Sequence, residues 1–268
     1  MLQDVMCLSD FFAEPSRINQ RLALNGAWAM RRVSVAQKET RVSMEKRELV
    51  ITIDGPSGAG KTTVSKGLAA RIGYRYIDTG ALYRGIALLT SEMGIAKDDE
   101  EGMAKACESV SLRFELSDGD LRLLSGSRDI SDLIRTPEIS MRASAVSALK
   151  PVRAFLTVLQ RRLGEERGVV FEGRDMGTVV FPKADLKFFL DADAHIRAER
   201  RFEELKARGA DVEFKTVKEE LIQRDKNDRS RAIAPLKAAD DAIHVDATAM
   251  DAEAVIEVMA EKVASFSG

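Results

Sequence analysis

The segment GPSGAGKT at positions 55–62 carries spaced glycines followed by a lysine and a hydroxyl residue, a pattern that works only as a loop joining a buried strand to a helix. The flanking residues supply both neighbours. Leu49, Val50, Ile51, Thr52 and Ile53 form a short apolar run suited to a buried parallel strand, and Val64, Leu68 and Ile72 recur at helical spacing. Gly55, Gly58 and Gly60 let successive backbone N–H groups turn toward one point at the positive end of the helix, with Pro56, Ser57 and Ala59 between them. Lys61 is placed to reach outer phosphates, Thr62 to offer a hydroxyl to Mg²⁺, and Thr63 to begin the helix beside them. A nucleoside triphosphate with Mg²⁺ is the expected ligand.

A chain of 268 residues, 45% hydrophobic and 31% charged, has room for one large domain or two small ones around such a unit. No apolar run approaches the roughly 18 residues of a membrane span. Cys7 and Cys107 have no zinc-site spacing and make no disulfide framework, so both read as small apolar fillers in a reducing cytoplasm. A net charge of −2 argues against a general nucleic-acid binder, so an anionic substrate must be held by locally clustered arginines.

Residues 1–47 differ from the rest: eight basic and five acidic side chains give them a net of +3, without sustained periodicity. Three readings stay open for this extension. It is an upstream addition with Met44 opening the native chain, a disordered tail, or a targeting segment carrying Arg17, Arg21, Arg31, Arg32 and Arg41. Asp4, Asp10 and Glu14 fit poorly with a transit peptide.

From residue 48 onward, strand patterns at 49–54, 168–172, 186–190 and 243–246 alternate with helical patterns at about 60–72, 81–93, 151–166, 193–208, 213–226 and 251–265. This alternation predicts a three-layer α/β sandwich with a parallel central sheet and helices on both faces. One stretch departs from it. In residues 111–125, Leu112, Phe114 and Leu116 answer Leu121 and Leu123 across the turn Ser117, Asp118, Gly119, Asp120, which predicts an antiparallel insert.

Three further segments gather chemistry. In YIDTGALYRG (76–85), Asp78, Thr79 and Gly80 read as a strand end and helix cap, with Tyr83 and Arg84 on the first turns after it. In FEGRDMGTVVFPK (171–183) a strand ends at Glu172, and Arg174 and Asp175 turn out at the carboxyl edge of the sheet, where open α/β sheets bind ligands. In RDKNDRSRAIAPL (224–236), Arg224, Asp228 and Arg231 share one face of a persisting helix. A solvated charged helix is the alternative there.

Together, GPSGAGKTT, DTGALYR, EGRDMGTVVFP, LKFFLDA and RDKNDRSRAIAPLKAADDAIHVDAT resemble the bacterial-type cytidylate kinases in order and spacing, over about residues 49–265. The resemblance implies a P-loop fold with core segments 48–80, 168–192 and 232–268. A monophosphate-binding region at about 81–167 would contain the antiparallel insert (111–130), and a helical lid would span about 193–231. It implies a phosphotransferase that moves the γ-phosphoryl group of ATP to CMP or dCMP, with Mg²⁺, as a cytoplasmic monomer. By similarity, Asp175 accepts from the cytosine amino group while Arg153 and Thr79 serve the base; family members often carry Ser where Thr79 stands. Arg84 and Arg174, with Tyr83 nearby, match positions around the acceptor phosphate, and Ser144, Arg224, Asp228 and Arg231 those around ribose and phosphate. Lys61, Arg174 and Arg224 are the catalytic candidates, and Glu172 would hold a metal-bound water. Among the lid arginines Arg197, Arg200 and Arg201, one or two would close over the transferred group; the alternative pairs them with Glu203 and Glu204 on a solvated face.

Three rivals remain at this point. A kinase for AMP, UMP or shikimate lacks a reason for Asp175 beside Arg153. A GTP-driven switch would need an Asn-Lys-x-Asp segment, and the run Asp225, Lys226, Asn227, Asp228 has the wrong order. A silent nucleotide-binding scaffold leaves Lys61, Thr62, Arg174 and Asp228 unexplained.

Overall fold

The computed structural model of the protein describes residues 48–117 and 120–266. The readings made for residues 1–47, Cys7 included, and for the turn residues Asp118 and Gly119 lie outside the described residues. The first apolar run forms strand β1 (Val50–Asp54), buried along its whole length. Its side chains alternate between two apolar layers, as the two-residue strand period requires. Ile51 and Ile53 join one core with Leu68, Phe188 and Met259, and Val50 joins the other with Ile77, Val169 and Phe171. A strand apolar on both sides has to be covered on both sides, which is why the sheet is parallel and helix-clad.

Along the chain, α1 (Lys61–Ile72) is followed by β2 (Arg75–Asp78), α2 (Thr79–Glu92), α3 (Glu100–Ser109), β3 (Leu112–Ser117), β4 (Asp120–Ser125) and β5 (Arg128–Asp129). Next come a 3-10 turn (Leu133–Arg135), α4 (Pro137–Val146), α5 (Lys150–Glu165), β6 (Val169–Gly173) and a π-helical turn (Met176–Val180). The chain ends with β7 (Leu186–Asp191), α6 (Ala194–Ala207), α7 (Phe214–Ser230), β8 (Ile243–Asp246) and α8 (Ala252–Phe266). The main sheet has the order β2-β6-β1-β7-β8, every neighbouring pair parallel. β1 lies at its centre, so the loop that follows it emerges in the middle of the carboxyl edge.

Gly55 shows how tightly that emergence is set. Its φ is 152°, and a Cβ there would stand 1.9 Å from the carbonyl oxygen of Leu190 on β7. Gly55→Ala must therefore push β1 and β7 apart, and we expect it to cost about 1–3 kcal/mol or more. The check is the urea midpoint, and a midpoint equal to the parent's would contradict this account.

The small sheet β3-β4-β5 is antiparallel, with Leu112 opposite Ser125, Phe114 opposite Leu123 and Leu116 opposite Leu121, the pairing its alternation predicts. Its inner residues Leu112 and Leu123 join Leu82, Ile86, Met103, Ile134, Val152 and Leu156 in a third core built by α2 to α5. Leu116, at the tip, is 71% exposed instead of packed. Cys107 is a buried member of this core, as a filler should be.

Several boundaries differ from the sequence expectation for physical reasons. β2 is an edge strand with half-exposed residues, so it carries no apolar run. Helix α2 begins two residues early because Asp78 caps it, accepting the N–H of Ala81 at 3.2 Å. Helices α3 and α4 were not anticipated: α3 buries only Met103, Ala106 and Cys107, too few to set a period. The start of α4 is marked by Thr136, which accepts from the N–H of Ile139 at 3.2 Å, and by Pro137 in its first turn.

Candidate active site

At the carboxyl edge of the main sheet lies a cleft of about 620 Å³. Strand ends and parts of seven helices build it. The loop after β1 contributes Ser57, Gly58, Ala59 and Gly60, and the start of α1 contributes Lys61, Thr62 and Thr63; Gly55 and Pro56 lie behind this wall. From the ends of β2 and β6 come Asp78, Glu172, Arg174 and Asp175, the first turns of α2 bring Thr79, Tyr83 and Arg84, and α4 and α5 add Ser144 and Arg153. Helices α6 and α7 and the residue after α7 bring Arg200, Arg201, Arg224, Asp228 and Arg231. Every residue assigned to the acceptor from the sequence thus faces one space, although these residues are spread from position 79 to position 231.

Lys61 is 4% exposed and donates to the carbonyl of Pro56 at 2.6 Å. Burial, aided by the nearby charges of Arg174 and Arg224, pulls its amine down to about 7. The phosphates of a bound nucleotide would raise that value again. Nucleotide affinity is therefore expected to be full below about pH 7 and to weaken as the pH rises above it, by up to about tenfold per unit until the bound-state value is passed. Calorimetric Kd values across this range test it, and a flat profile would contradict it.

Thr62 donates its hydroxyl to Glu172 Oε1 at 3.0 Å, while Tyr76 donates to Oε2 at 2.5 Å. Burial, reinforced by the charge of Asp78, raises the Glu172 carboxyl above its ordinary value. A buried acid crowded by a second acid and facing a threonine hydroxyl suits a hard cation. Thr62 and Glu172 alone supply only two positions, so phosphate oxygens and waters would have to complete the shell around Mg²⁺. Among the described residues, no group of three acidic, histidine or cysteine side chains could hold a metal by itself.

The rest of the cleft is dense in charge. Asp228, 1% exposed, accepts from Arg174 Nε at 3.1 Å, from Ser144 Oγ at 3.2 Å and from the guanidinium of Arg231. Burial pushes its carboxyl up, but these arginines win and hold it below the ordinary range. Arg84 pairs with Asp78 at 2.6 Å. Arg153 pairs with Asp175 deep in the cleft and lies 5.7 Å from the centre of the Tyr83 ring. Burial raises the Asp175 carboxyl, opposed by Arg153. Burial and the charge of Arg174 lower Arg224 to about 10. Among the described residues, the Nε atoms of Arg84, Arg224 and Arg231 are buried and have no hydrogen-bond partner, an arrangement that costs free energy unless an anion completes it.

Of the three arginines Arg197, Arg200 and Arg201, Arg197 is the one that does not line the cleft. It is buried, pairs with Asp225, and donates to the carbonyls of Ala192 at 2.9 Å and Ser57 at 2.8 Å. Asp225 in turn accepts the N–H of Ser57 at 3.1 Å. The pair is a strut that ties α6 and α7 to the phosphate loop. Arg201 lines the cleft and pairs with Glu204 at 2.7 Å, so both readings offered for it describe part of its position. Arg200 lines the cleft and donates to the carbonyls of Ala247 at 2.7 Å and Met250 at 3.2 Å.

Sequence reasoning missed Asp78 as a partner for Arg84, and Arg135 and Arg208 as cleft residues. Arg135 belongs to a 3-10 turn with no periodic signature. Asp225 was visible beside Arg224, but neighbours on a helix point about 100° apart, so it faces the loop rather than the acceptor.

The sequence pattern of the family described as Cytidylate kinase matches residues 51–265. A cytidylate kinase of Syntrophotalea carbinolica is 48% identical over 218 residues, covering 81% of this chain and 93% of the relative. One of Geobacter sulfurreducens is 47% identical over 214 residues, covering 80% and 92%. Among solved structures, a shikimate kinase from Acinetobacter baumannii aligns over 82% of this chain and 95% of its own, with a TM-score of 0.43 and 15% identity.

Proposed function

The chain belongs to the cytidylate kinase family, and on that premise we infer that it transfers the γ-phosphoryl group of ATP to CMP or dCMP, giving CDP or dCDP and ADP. The observation that carries the acceptor reading is the set of buried, unpartnered Nε donors of Arg84, Arg224 and Arg231 in the same cleft as the buried pair Arg153 and Asp175. The first is a place for a phosphate. The second offers a carboxylate to an exocyclic amino group and a guanidinium to ring acceptors.

The two substrates divide the cleft between them. The phosphate loop and Lys61 take the donor's phosphates, and the apolar wall of Ala247, Met250, Ala252 and Val255 beside Arg200 suits the donor's purine. Mg²⁺, held through Thr62 and a water on Glu172, would neutralise charge on the outer phosphates. Lys61, Arg174 and Arg224 converge on the space between donor and acceptor, where they hold the two phosphates in line and offset the charge of the transferred group. The acceptor phosphate is already ionised at neutral pH, so no side chain has to act as a base. Asp228 and Ser144 take the sugar hydroxyls, and Arg231 the ribose and phosphate. Thr79 gives its own proton to the Glu172 carbonyl at 2.6 Å, which leaves its oxygen to accept from the base.

Residues 81–167, with the small sheet, serve as the monophosphate-binding region, and 193–231 as the lid, with Arg200 and Arg201 as its acting arginines. We propose a monomer working in the cytoplasm; no described helix is long and apolar enough to cross a membrane.

The test is diphosphate formation by the full chain with Mg·ATP and, separately, CMP, dCMP, UMP, AMP and GMP. CMP and dCMP are expected to be much the best acceptors, and a preference for AMP or UMP would overturn the reading. Asp175→Asn should reduce the preference for CMP over UMP by about tenfold or more, since an amide donates where the carboxylate only accepts. Equal losses toward both would remove Asp175 from base recognition.

A further inference from the structure

Asp54 closes β1 with a carboxylate that is 4% exposed and has no part in the chemistry above. Strand alternation puts it on the face of Val50 and Thr52, beneath the π-helical turn that begins one residue after Asp175. Its Oδ1 accepts the N–H of Met176 at 2.9 Å, and its Oδ2 accepts the N–H of Gly177 at 2.7 Å. The turn is seated closely there: a Cβ on Gly177 would come within 3.1 Å of Thr52 Oγ1 and of the Lys187 side chain. At its other end the turn is closed by its own backbone, with Val179 and Val180 donating to the carbonyl of Asp175 at 2.9 and 3.2 Å. Its first two N–H groups depend on Asp54.

The arrangement is costly. Burial pushes the Asp54 carboxyl up to about 7, against the pull of the two N–H bonds, and the neighbouring Asp175 adds repulsion. A neutral amide of the same shape would not replace it, because one of the two N–H groups would then face an NH₂ donor. Asp175 itself has φ −143° and ψ 22°, neither strand nor helix, so its direction is set by what holds the residues after it.

We propose that Asp54 is a positioning residue for base selectivity: by gripping the N–H groups of Met176 and Gly177 it fixes the backbone at Asp175 and so aims that carboxylate at the acceptor base. This rests on the reading of Asp175 as the base-recognising group. It also makes one strand serve both substrates, since the residue after Asp54 opens the phosphate loop.

The experiment compares the ratio of kcat/KM for CMP over UMP, at saturating Mg·ATP, in the parent, Asp54→Asn, Asp175→Asn and the double variant. Asp54→Asn is expected to lower the ratio about tenfold, the equivalent of one well-made hydrogen bond. The double variant should be no worse than Asp175→Asn alone, because one effect acts through the other. A parental ratio in Asp54→Asn, or independent losses that multiply, overturns the proposal. An unchanged ratio in Asp175→Asn overturns the base reading first, and this inference with it. If Asp54→Asn does not fold, hydrogen exchange on the parent decides: CMP should slow exchange at the amides of Met176 and Gly177, and no CMP-dependent slowing overturns the role.

Discussion

Lys61→Ala is expected to lower kcat by about 10³-fold or more while the protein unfolds at the same temperature or a higher one. Both halves follow from the same burial. The ammonium is nearly sealed from water, it donates to the Pro56 carbonyl, and Arg174 and Arg224 repel it. With the cleft empty, the side chain is a burden on the fold, and removing it relieves desolvation and repulsion together. On the proposed reading, with nucleotide bound the same charge would lie against phosphates and gain as the transition state spreads negative charge over the moving group. Steady-state rates and thermal unfolding, measured on one preparation, test the pair of statements. A large fall in the unfolding midpoint would mean that lost activity reflects lost structure, and near-parental turnover would remove Lys61 from the reaction.

Asp228→Ala is expected to produce the largest loss of stability among the cleft substitutions, about 3 kcal/mol, together with a large rise in KM for CMP. The carboxylate is buried between Arg174 and Arg231, with Arg224 also acting on it. Its removal leaves a cluster of buried like charges without a counter-ion. Inorganic phosphate should then raise the unfolding midpoint more in the variant than in the parent, because the anion restores the missing negative charge. The pH dependence has a definite sign. Since the folded carboxyl sits below its ordinary value of 3.8, its contribution is complete above that value and is lost as the pH falls through the folded one. The stability gap between parent and variant should therefore hold near neutrality and close in acid. A gap independent of pH, or no greater anion stabilisation in the variant, would contradict the assignment.

How much could be read before any coordinates depends on where each signal resides. Gly55 to Thr62 and the apolar β1 are contiguous, so the phosphate loop was legible directly. The hairpin was legible because Leu112, Phe114, Leu121 and Leu123 alternate over a short span. Helices α3 and α4 were missed because their burial is thin or their cap signal was outweighed, although Thr136 followed by Pro137 was there to be read. The acceptor side was legible only as separate charged segments plus a resemblance; nothing local in Arg84, Ser144, Arg153 and Asp228 states that they face one another. The role found for Arg197 shows the limit most clearly. An arginine on a charged helix looks the same in sequence whether it points into the cleft or, as here, locks Asp225 and Ser57 behind it. Asp54 was hidden for a related reason, since its partners are backbone N–H groups, which leave no trace in residue identity.

Strands β2 and β6 are hydrogen-bonded neighbours, from Arg75 opposite Val169 to Asp78 opposite Glu172, although residues 79–168, with the small sheet and helices α2 to α5, lie between them in the chain. The chain leaves the sheet at one point and returns beside it. The main sheet therefore completes its own ladder of strands whatever is spliced into that gap, provided the insert starts and ends a strand spacing apart. Arg174, Asp175, Arg224, Asp228 and Arg231 stay with the sheet and the helices after it, so an exchanged insert would have to fit a charged wall that it does not bring with it.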